Sequence, residues 1–190
     1  MNKNNYKVYI YSNIGLFLTI AILYAIYAKP NDLMEWVSIV TRSISLLVIV
    51  SLVFVKWLWK YKLFYPWLVP FPNLEGVWSG LIKTTYQDQP QIIPLKVTIT
   101  QSFFQTTVRL KTAESQSISN VAYFPTDEDG KITHLYYSYL NNPNSGVRDR
   151  SVIHFGTARL DFDHYPVTKL TGEYWTTRKS VGTIELSKQK

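Results

Sequence analysis

The sequence predicts an α+β membrane protein, in which a two-helix transmembrane hairpin is followed by an all-β, eight-stranded antiparallel barrel. Two apolar runs of membrane-spanning length, residues 11–28 and 37–55, lie near the N-terminus on either side of a short polar turn. From Leu74 onward the pattern changes to short alternating runs broken by turn residues, which is typical of antiparallel sheets. We therefore predict a hairpin and its aromatic juxtamembrane linker in residues 1–72 and a β domain in residues 73–190.

The two apolar runs are long enough to be membrane spans. The first, YSNIGLFLTIAILYAIYA, would extend roughly 27 Å as a helix, close to the thickness of the hydrocarbon layer. A cleaved signal peptide, a re-entrant hairpin and two buried helices of a soluble domain are the alternatives. A cut after Ala28 would leave Ile26 where a small residue is needed, and a second run follows at once, so the sequence favours two spans.

The basic residues predict the orientation of the hairpin. Residues 1–72 contain seven Lys/Arg against two Asp/Glu, whereas the remainder contains thirteen against eleven. This excess indicates contact with a membrane surface, and we expect no DNA or RNA partner. Lysines flank the two outer ends of the hairpin, at Lys3, Lys7, Lys56, Lys60 and Lys62. The turn has only Lys29, offset by Asp32 and Glu35, so we predict that both termini are cytoplasmic.

A polar stripe in the second span indicates a helix–helix contact. Its members fall at helical spacing and are Ser38, Thr41, Arg42 and Ser45. Two interpretations are open: the stripe packs the two helices of one hairpin, or it joins hairpins of different copies. Arg42 lies about five residues from the outer end of the span, where it either snorkels to the surface or sits at a helix interface.

The β domain is predicted to form eight strands: Gly76–Thr85, Leu95–Phe103, Thr106–Thr112, Ser117–Phe124, Ile132–Asn141, Ser151–Phe162, Leu170–Arg178 and Gly182–Lys188. Closure into a barrel leaves no exposed strand edge, which favours a barrel over an open sheet, and a β-sandwich is the alternative. A barrel of this strand number is just wide enough to hold one small ligand. Several strand faces mix polar and aromatic side chains, as a polar, flat ligand requires.

The sequence contains no recognisable catalytic or metal-binding motif. It has no Cys, no HExxH, no G-x-S-x-G and no P-loop. We therefore expect a protein without enzymatic activity, without a metal and without a cofactor.

Two segments, together with the layout, resemble a known family. The segments are LEGVWSG (Leu74–Gly80) and LTGEYWTTRKSVGTIEL (Leu170–Leu186). The chain resembles the SMODS-associated two-transmembrane, β-strand-rich effectors of cyclic-oligonucleotide-based antiphage signalling (CBASS). The matching positions of the second segment are Gly172, Tyr174, Thr176 or Thr177, Arg178, Lys179, Gly182 and Ile184.

The resemblance implies a cytosolic barrel, anchored in the bacterial inner membrane, that senses a cyclic dinucleotide made by a partner nucleotide cyclase. Binding would drive oligomerisation of the hairpins, disruption of the lipid membrane and death of the infected cell. The alternatives are a membrane-anchored, lipocalin-like carrier of an apolar ligand and an enzyme with an unrecognised site.

The strand faces then give the ligand contacts that we predict. A cyclic dinucleotide offers two anionic phosphates and two flat bases, which need cationic and aromatic partners. The stacking candidates are Trp78, Tyr136 and Tyr174, and the phosphate candidates are Arg178 and Arg159. The candidates for reading base or sugar edges are Asn120, Thr176 and His154. Arg159 is the weakest member of this set, because the alternation places it opposite His154.

Overall fold

The chain divides into two compact units, Met1–Pro70 and Phe71–Lys190. The structure, a computed structural model, describes residues 3–85, 91–162 and 165–189, with side chains from Lys7 onward. The first unit contains two long apolar helices, and the second is a closed eight-stranded antiparallel β-barrel. The predicted fold class is confirmed.

The helical unit begins with α1 (Lys3–Ala28) and α2 (Leu33–Lys56). By length and composition, both helices can cross a membrane. α1 ends where Lys29 takes a left-handed backbone, with φ 48°, and donates its N–H to the Ala25 carbonyl at 2.9 Å. α2 begins where the Asp32 carboxylate accepts the Glu35 N–H at 2.8 Å. The two caps build the short polar turn that separates the helices.

The contact between α1 and α2 does not use most of the predicted polar stripe. The buried residues of α2 are Ile39, Ser43 and Phe54, and a hydrogen bond of 2.9 Å joins the Ser51 hydroxyl to Asn13 Oδ1 of α1. Ser38 is half-buried, whereas Thr41, Arg42 and Ser45 are exposed within the chain. Packing within one hairpin therefore does not account for these three residues. The other interpretation, contact between copies, stays a proposal.

The barrel contains all eight predicted strands, which pair in sequence order and close through β1 and β8. Their bounds are β1 Gly76–Thr84, β2 Gln91–Gln101, β3 Thr106–Lys111, β4 Ser115–Tyr123, β5 His134–Pro143, β6 His154–Asp161, β7 Lys169–Thr176 and β8 Val181–Lys188. Every pairing is antiparallel. Because the strands close into a single barrel rather than two separate sheets, the β-sandwich alternative is wrong. We call the end at which the chain enters β1 the entry end and the opposite end the far end.

The entry half of the barrel is filled by an apolar core. Its completely buried side chains include Trp78, Leu135, Leu160 and Leu170. The Trp78 indole N–H donates to the Leu74 carbonyl at 3.0 Å, so burial leaves this donor satisfied. The Gln101 side chain donates to the Pro72 carbonyl at 3.0 Å and accepts the Leu74 N–H at 2.7 Å. These bonds tie the incoming segment to the core of the entry half.

A glycine permits the close approach of β6 and β7. A Cβ added at Gly172 would lie 1.8 Å from the Arg159 carbonyl oxygen, which is backbone and cannot swing aside. We predict that Gly172→Ala lowers the free energy of unfolding of the barrel by about 3 kcal/mol or more. Gly146→Ala is the matched control, because a Cβ there meets nothing within 4 Å. Thermal unfolding of the purified chain, followed by tryptophan fluorescence, measures both, and equal melting temperatures would contradict the predicted register.

Candidate ligand-binding cavity

A cavity of about 400 Å³ occupies the far end of the barrel. This volume lies within the range of about 300–1,000 Å³ that small-molecule sites take. Side chains that carry hydrogen-bonding groups supply much of its wall: Thr84, Ser117, Tyr137, Tyr139, Asn141, His154, Tyr174, Thr176 and Arg178. Apolar side chains complete it, among them Ile82, Ile93, Leu110 and Ile184. The wall therefore combines flat rings, hydrogen-bonding groups and a cation.

Two tyrosine rings of this wall lie against glycines of the adjacent strands. Tyr139 is opposite Gly156 in register, and a Cβ at that glycine would lie 2.4 Å from the ring. Tyr174 is opposite Gly182, where a Cβ would lie 2.7 Å from the ring. The two glycines thus give the rings room within the barrel wall. The inward alternation of β5 and β7 determines that both rings face the cavity.

Arg178 belongs to the turn between β7 and β8, at the mouth of the cavity. The turn is closed by hydrogen bonds of 3.0 Å from the Lys179 N–H to the Thr176 carbonyl and from the Thr176 N–H to the Ser180 carbonyl. Arg178 Nη1 donates to the Ser151 hydroxyl at 3.0 Å, which links this turn to the loop between β5 and β6. The guanidinium is therefore positioned by two loops at once.

The charge of Arg178 acts on three other side chains of the cavity. Burial raises the pKa of Tyr139 and of Tyr174, and the Arg178 charge opposes both shifts. Burial lowers the pKa of His154 below its usual value, and the Arg178 charge lowers it further. His154 Nδ1 lies 2.9 Å from the Val152 carbonyl, so the neutral ring donates there and keeps Nε2 as an acceptor.

The described residues that line the cavity include two arginines and a single carboxylate. That carboxylate, Glu114, forms an ion pair with Arg150 at the mouth, where both are exposed. Among the described lining residues the charge balance is therefore positive by one unit while His154 is neutral. A positive site of this kind selects anionic ligands.

Of the eight predicted ligand contacts, the structure brings four together in the cavity: His154, Tyr174, Thr176 and Arg178. Thr176 is held by the Ser180 hydroxyl at 2.7 Å. All four come from β6, β7 and the turn that follows, where the alternation gave the inward face correctly.

The other four predicted contacts lie elsewhere. Trp78 is on the inward face of β1 but is completely buried in the core of the entry half. Tyr136 lies on the outer surface, where it stacks on Tyr123 with ring centroids 5.9 Å apart. Arg159 is its cross-strand neighbour and binds Asp161 at 2.7 Å. The lumen-facing prediction is therefore wrong for Tyr136, whereas Arg159 lies on the face opposite His154, as the alternation indicated, and outside the cavity.

Asn120 is displaced by an irregularity in β4. The register of β4 against β5 shifts between Ser119 and Val121, which is a β-bulge at Asn120. The side chain of Asn120 is exposed. A bulge breaks the simple alternation on which the prediction of its face depended, so its predicted position in the lumen is also wrong.

Sequence reasoning missed several residues that line the cavity, chiefly Thr84, Tyr137, Tyr139 and Asn141. In β5, HLYYSYLNNP, both alternating faces contain tyrosine and polar residues, so composition alone does not distinguish them. The signal in the sequence that could have identified the inward face of β5 is the glycine on the neighbouring strand. Gly156 of β6 falls opposite Tyr139 once the two strands are aligned as a hairpin, and small residues beside rings mark the packed face.

Comparison with known proteins identifies the family of the barrel. The family model described as Cap15, cyclic dinucleotide receptor domain, matches residues 69–188. The chain belongs to this family. The Cap15 match covers the whole barrel, and the family is one of receptor domains rather than a catalytic one.

Two curated relatives extend the similarity beyond the barrel. CD-NTase-associated protein 15 of Staphylococcus schleiferi is 28% identical over 155 residues, which cover 82% of this chain and 81% of the relative. CD-NTase-associated protein 15 of Escherichia albertii is 28% identical over 160 residues, covering 79% of this chain and 80% of the relative. The resemblance that the sequence motifs indicated is therefore confirmed at the level of the family.

Proposed function

We propose that this chain is a membrane-anchored CBASS effector whose barrel binds a cyclic dinucleotide in the far-end cavity. Membership of a cyclic dinucleotide receptor family supports the class of ligand. The relatives are named for association with a CD-NTase, and we extend that association to this chain, with the enzyme as the source of the dinucleotide. The position of Arg178 among Tyr139, Tyr174 and His154 is the observation that carries the proposal.

The chemistry of the cavity fits a cyclic dinucleotide. Arg178 donates to a phosphate, since a guanidinium binds phosphate oxygens through paired, charge-assisted hydrogen bonds. Tyr139 and Tyr174 offer ring surfaces to the bases, because stacking on aromatic side chains is available to any base. His154 Nε2 accepts a hydrogen bond from an exocyclic amine or a ribose hydroxyl. A carrier of apolar ligands has no use for this buried polar lining, which disfavours that alternative.

In this proposal the transmembrane hairpin is the part of the effector that disrupts the membrane. A lone two-helix hairpin cannot enclose a water path, so membrane disruption requires several hairpins side by side. The stripe of Thr41, Arg42 and Ser45, which is exposed within the chain, is the surface through which we expect α2 helices of different copies to meet. In such an assembly the Arg42 guanidinium and the hydroxyls of Thr41 and Ser45 would line the contact between helices.

Ligand can promote assembly only by binding the assembled form more tightly than the separate chain. Moving an equilibrium from 1:99 to 99:1 requires about 5.5 kcal/mol of differential binding. Arg178 connects two loops at the cavity mouth, so a phosphate that draws its guanidinium inward also changes the outer surface of those loops. We propose this movement as the link between binding and assembly.

We predict that Arg178→Ala weakens cyclic dinucleotide binding by about 10- to 150-fold, because one charge-assisted hydrogen bond contributes roughly 1.5–3 kcal/mol. Arg159→Ala is the matched control, since this arginine lies outside and is paired with Asp161. Calorimetric titration of the full chain in detergent with cyclic di-AMP, cyclic di-GMP and cyclic GMP–AMP measures both variants. Dye uptake by cells that express them with the cyclase gives the matching readout of membrane disruption.

The proposal requires that Arg178→Ala and Arg159→Ala differ in their affinity for cyclic dinucleotides. Equal loss of affinity in both would show that general positive charge, rather than the cavity, attracts the ligand. An unchanged affinity in Arg178→Ala would exclude Arg178 as the phosphate contact and, with it, the link to assembly.

We further predict that both termini of the chain are cytoplasmic in the bacterial inner membrane. Lysines flank the outer ends of the hairpin, whereas the turn that contains Lys29 also contains Asp32 and Glu35. Reporters fused after Lys190 and inserted beside Asn31 should give opposite signals, cytoplasmic for the first and periplasmic for the second. A periplasmic signal from the C-terminal reporter would place the barrel out of reach of a cytoplasmic cyclase.

A further inference from the structure

The β2–β3 hairpin carries a basic face on the outside of the barrel, which we define as Lys96 of β2 with Arg109 and Lys111 of β3. All three side chains are exposed, and none forms a hydrogen bond or ion pair with the described residues. Lys96 and Lys111 are directly opposite in register, and like charges in that position destabilise a sheet. A local conflict of this kind indicates a function for the surface rather than a contribution to stability.

The carboxylates at the far end do not neutralise the basic face. The segment from Gln91 to Thr112 contains no Asp or Glu. Beyond it, Glu114 forms an ion pair with Arg150. The exposed Asp149 stands between Arg148 and Arg150 in the loop between β5 and β6, so these two carboxylates and two arginines balance one another. The basic face keeps its full charge.

The acidic loop at the entry end, residues 127–129, is too distant to offset this charge. Ile118 of β4 is opposite Arg109 in register, and five further residues of β4 separate it from the end of the strand at Tyr123. At about 3.3 Å per residue this is roughly 17 Å, about twice the screening length at physiological salt. The loop also contains its own cation, Lys131, which binds Asp129 at 3.1 Å.

The turn of the same hairpin presents a large apolar side chain. Phe104, between β2 and β3 at the entry end, is 70% exposed. The Ser102 N–H donates to the Gln105 carbonyl at 2.8 Å, and the Gln105 N–H donates to the Ser102 hydroxyl at 3.0 Å, so hydrogen bonds close the turn. The buried Phe103 meets the Phe104 ring edge-on, with ring centroids 5.1 Å apart. An ordered turn therefore holds an aromatic ring in solvent.

Cations beside an exposed aromatic ring are the composition of a surface that rests on an anionic bilayer. Lys and Arg are attracted to anionic headgroups, and aromatic rings lie at the headgroup level. The chain also keeps a bilayer close: β1 begins at Gly76, twenty residues after α2 ends at Lys56. Such a tether populates even a weak contact, because it raises the effective concentration of the membrane. An RNA would have to be recruited from solution, so the membrane is the favoured partner.

We propose that the β2–β3 hairpin is a peripheral membrane contact, in which the basic face binds anionic lipid headgroups and Phe104 enters the headgroup layer. The inference rests on the membrane anchor of the proposed function and not on its ligand. The contact orients each barrel on the bilayer, so that less rotational freedom is lost when hairpins gather. None of its four residues lines the far-end cavity, so lipid and dinucleotide do not compete for the same side chains.

A fluorophore on the full chain, reconstituted in vesicles, tests the contact. The chain has no Cys, so one introduced Cys holds an environment-sensitive label at a chosen site. Thr100→Cys places the label on the exposed outer face of β2 near the entry end. Thr171→Cys is the matched control, exposed near the same end of β7, three strands away around the barrel. The vesicles contain phosphatidylcholine alone or equal parts of phosphatidylcholine and phosphatidylglycerol, with brominated chains as the quencher.

We expect the lipid to quench the Thr100 label in the anionic vesicles and to leave the Thr171 label bright. Lys96→Glu with Lys111→Glu should lower the ratio of docked to undocked barrel about 25-fold or more, because each cation near an anionic leaflet contributes roughly fivefold. Phe104→Ser should also reduce the quenching. Lys131→Glu is the charge control, since it reverses an exposed lysine away from the basic face, and should behave like the unmodified chain.

Four results would overturn the proposal. The first two are an unquenched Thr100 label in anionic vesicles and equal quenching of the Thr171 label. The third is quenching that is the same in both lipid mixtures or that survives the charge reversal. The fourth is a Thr100 label that is shielded from aqueous iodide only after RNA is added, which would assign the basic face to RNA.

Dinucleotide titration of the same samples separates this inference from the ligand of the proposed function. The variants should bind cyclic di-AMP, cyclic di-GMP or cyclic GMP–AMP like the unmodified chain, which also shows that their barrels are folded. Absence of binding in every sample, with the Thr100 label still quenched, would contradict the proposed ligand and support the membrane contact.

Discussion

The closure of eight strands in a single register is the constraint on which the rest of the barrel depends. A slip of one residue in any pair would exchange the inner and outer faces of a strand, so closure fixes every face at once. It places Gly156 beside the Tyr139 ring and Gly182 beside the Tyr174 ring. The same register brings the turn that follows β7 over the cavity mouth, where Arg178 reaches the loop between β5 and β6. The chemistry of the cavity is thus a consequence of strand pairing.

The two halves of the closed barrel differ in role: the entry half contributes mainly to stability, and the far half contains the cavity. The entry half is filled with apolar side chains around Trp78, and burial of this kind is the main favourable contribution to folding. The far half keeps buried hydroxyls, a neutral histidine and an arginine, which cost free energy to desolvate and pack less densely. A receptor benefits from this division, because the ligand supplies in the cavity the contacts that the chain lacks there. Membership of the Cap15 receptor family agrees with such an arrangement.

The sequence was sufficient for the strand number, for closure and for the inward faces of β6 and β7, since their alternation is regular. It was not sufficient in β4, where the bulge at Asn120 interrupts the alternation, or in β5, where both faces mix tyrosine with polar residues. Trp78 shows a different limit. The alternation of side chains along a strand identifies which residues face inward, but not whether they lie in the core of the entry half or in the cavity at the far end. The tertiary register that settles these points joins residues far apart in sequence, and local patterns contain no information on it.

The structure of the chain bound to a cyclic dinucleotide is the most direct measurement of where the ligand lies. The account predicts density for the ligand inside the far end, with a phosphate against the Arg178 guanidinium and bases beside Tyr139 and Tyr174. Density in the outer groove lined by Lys96 and Arg109, with the far-end cavity unchanged, would contradict it.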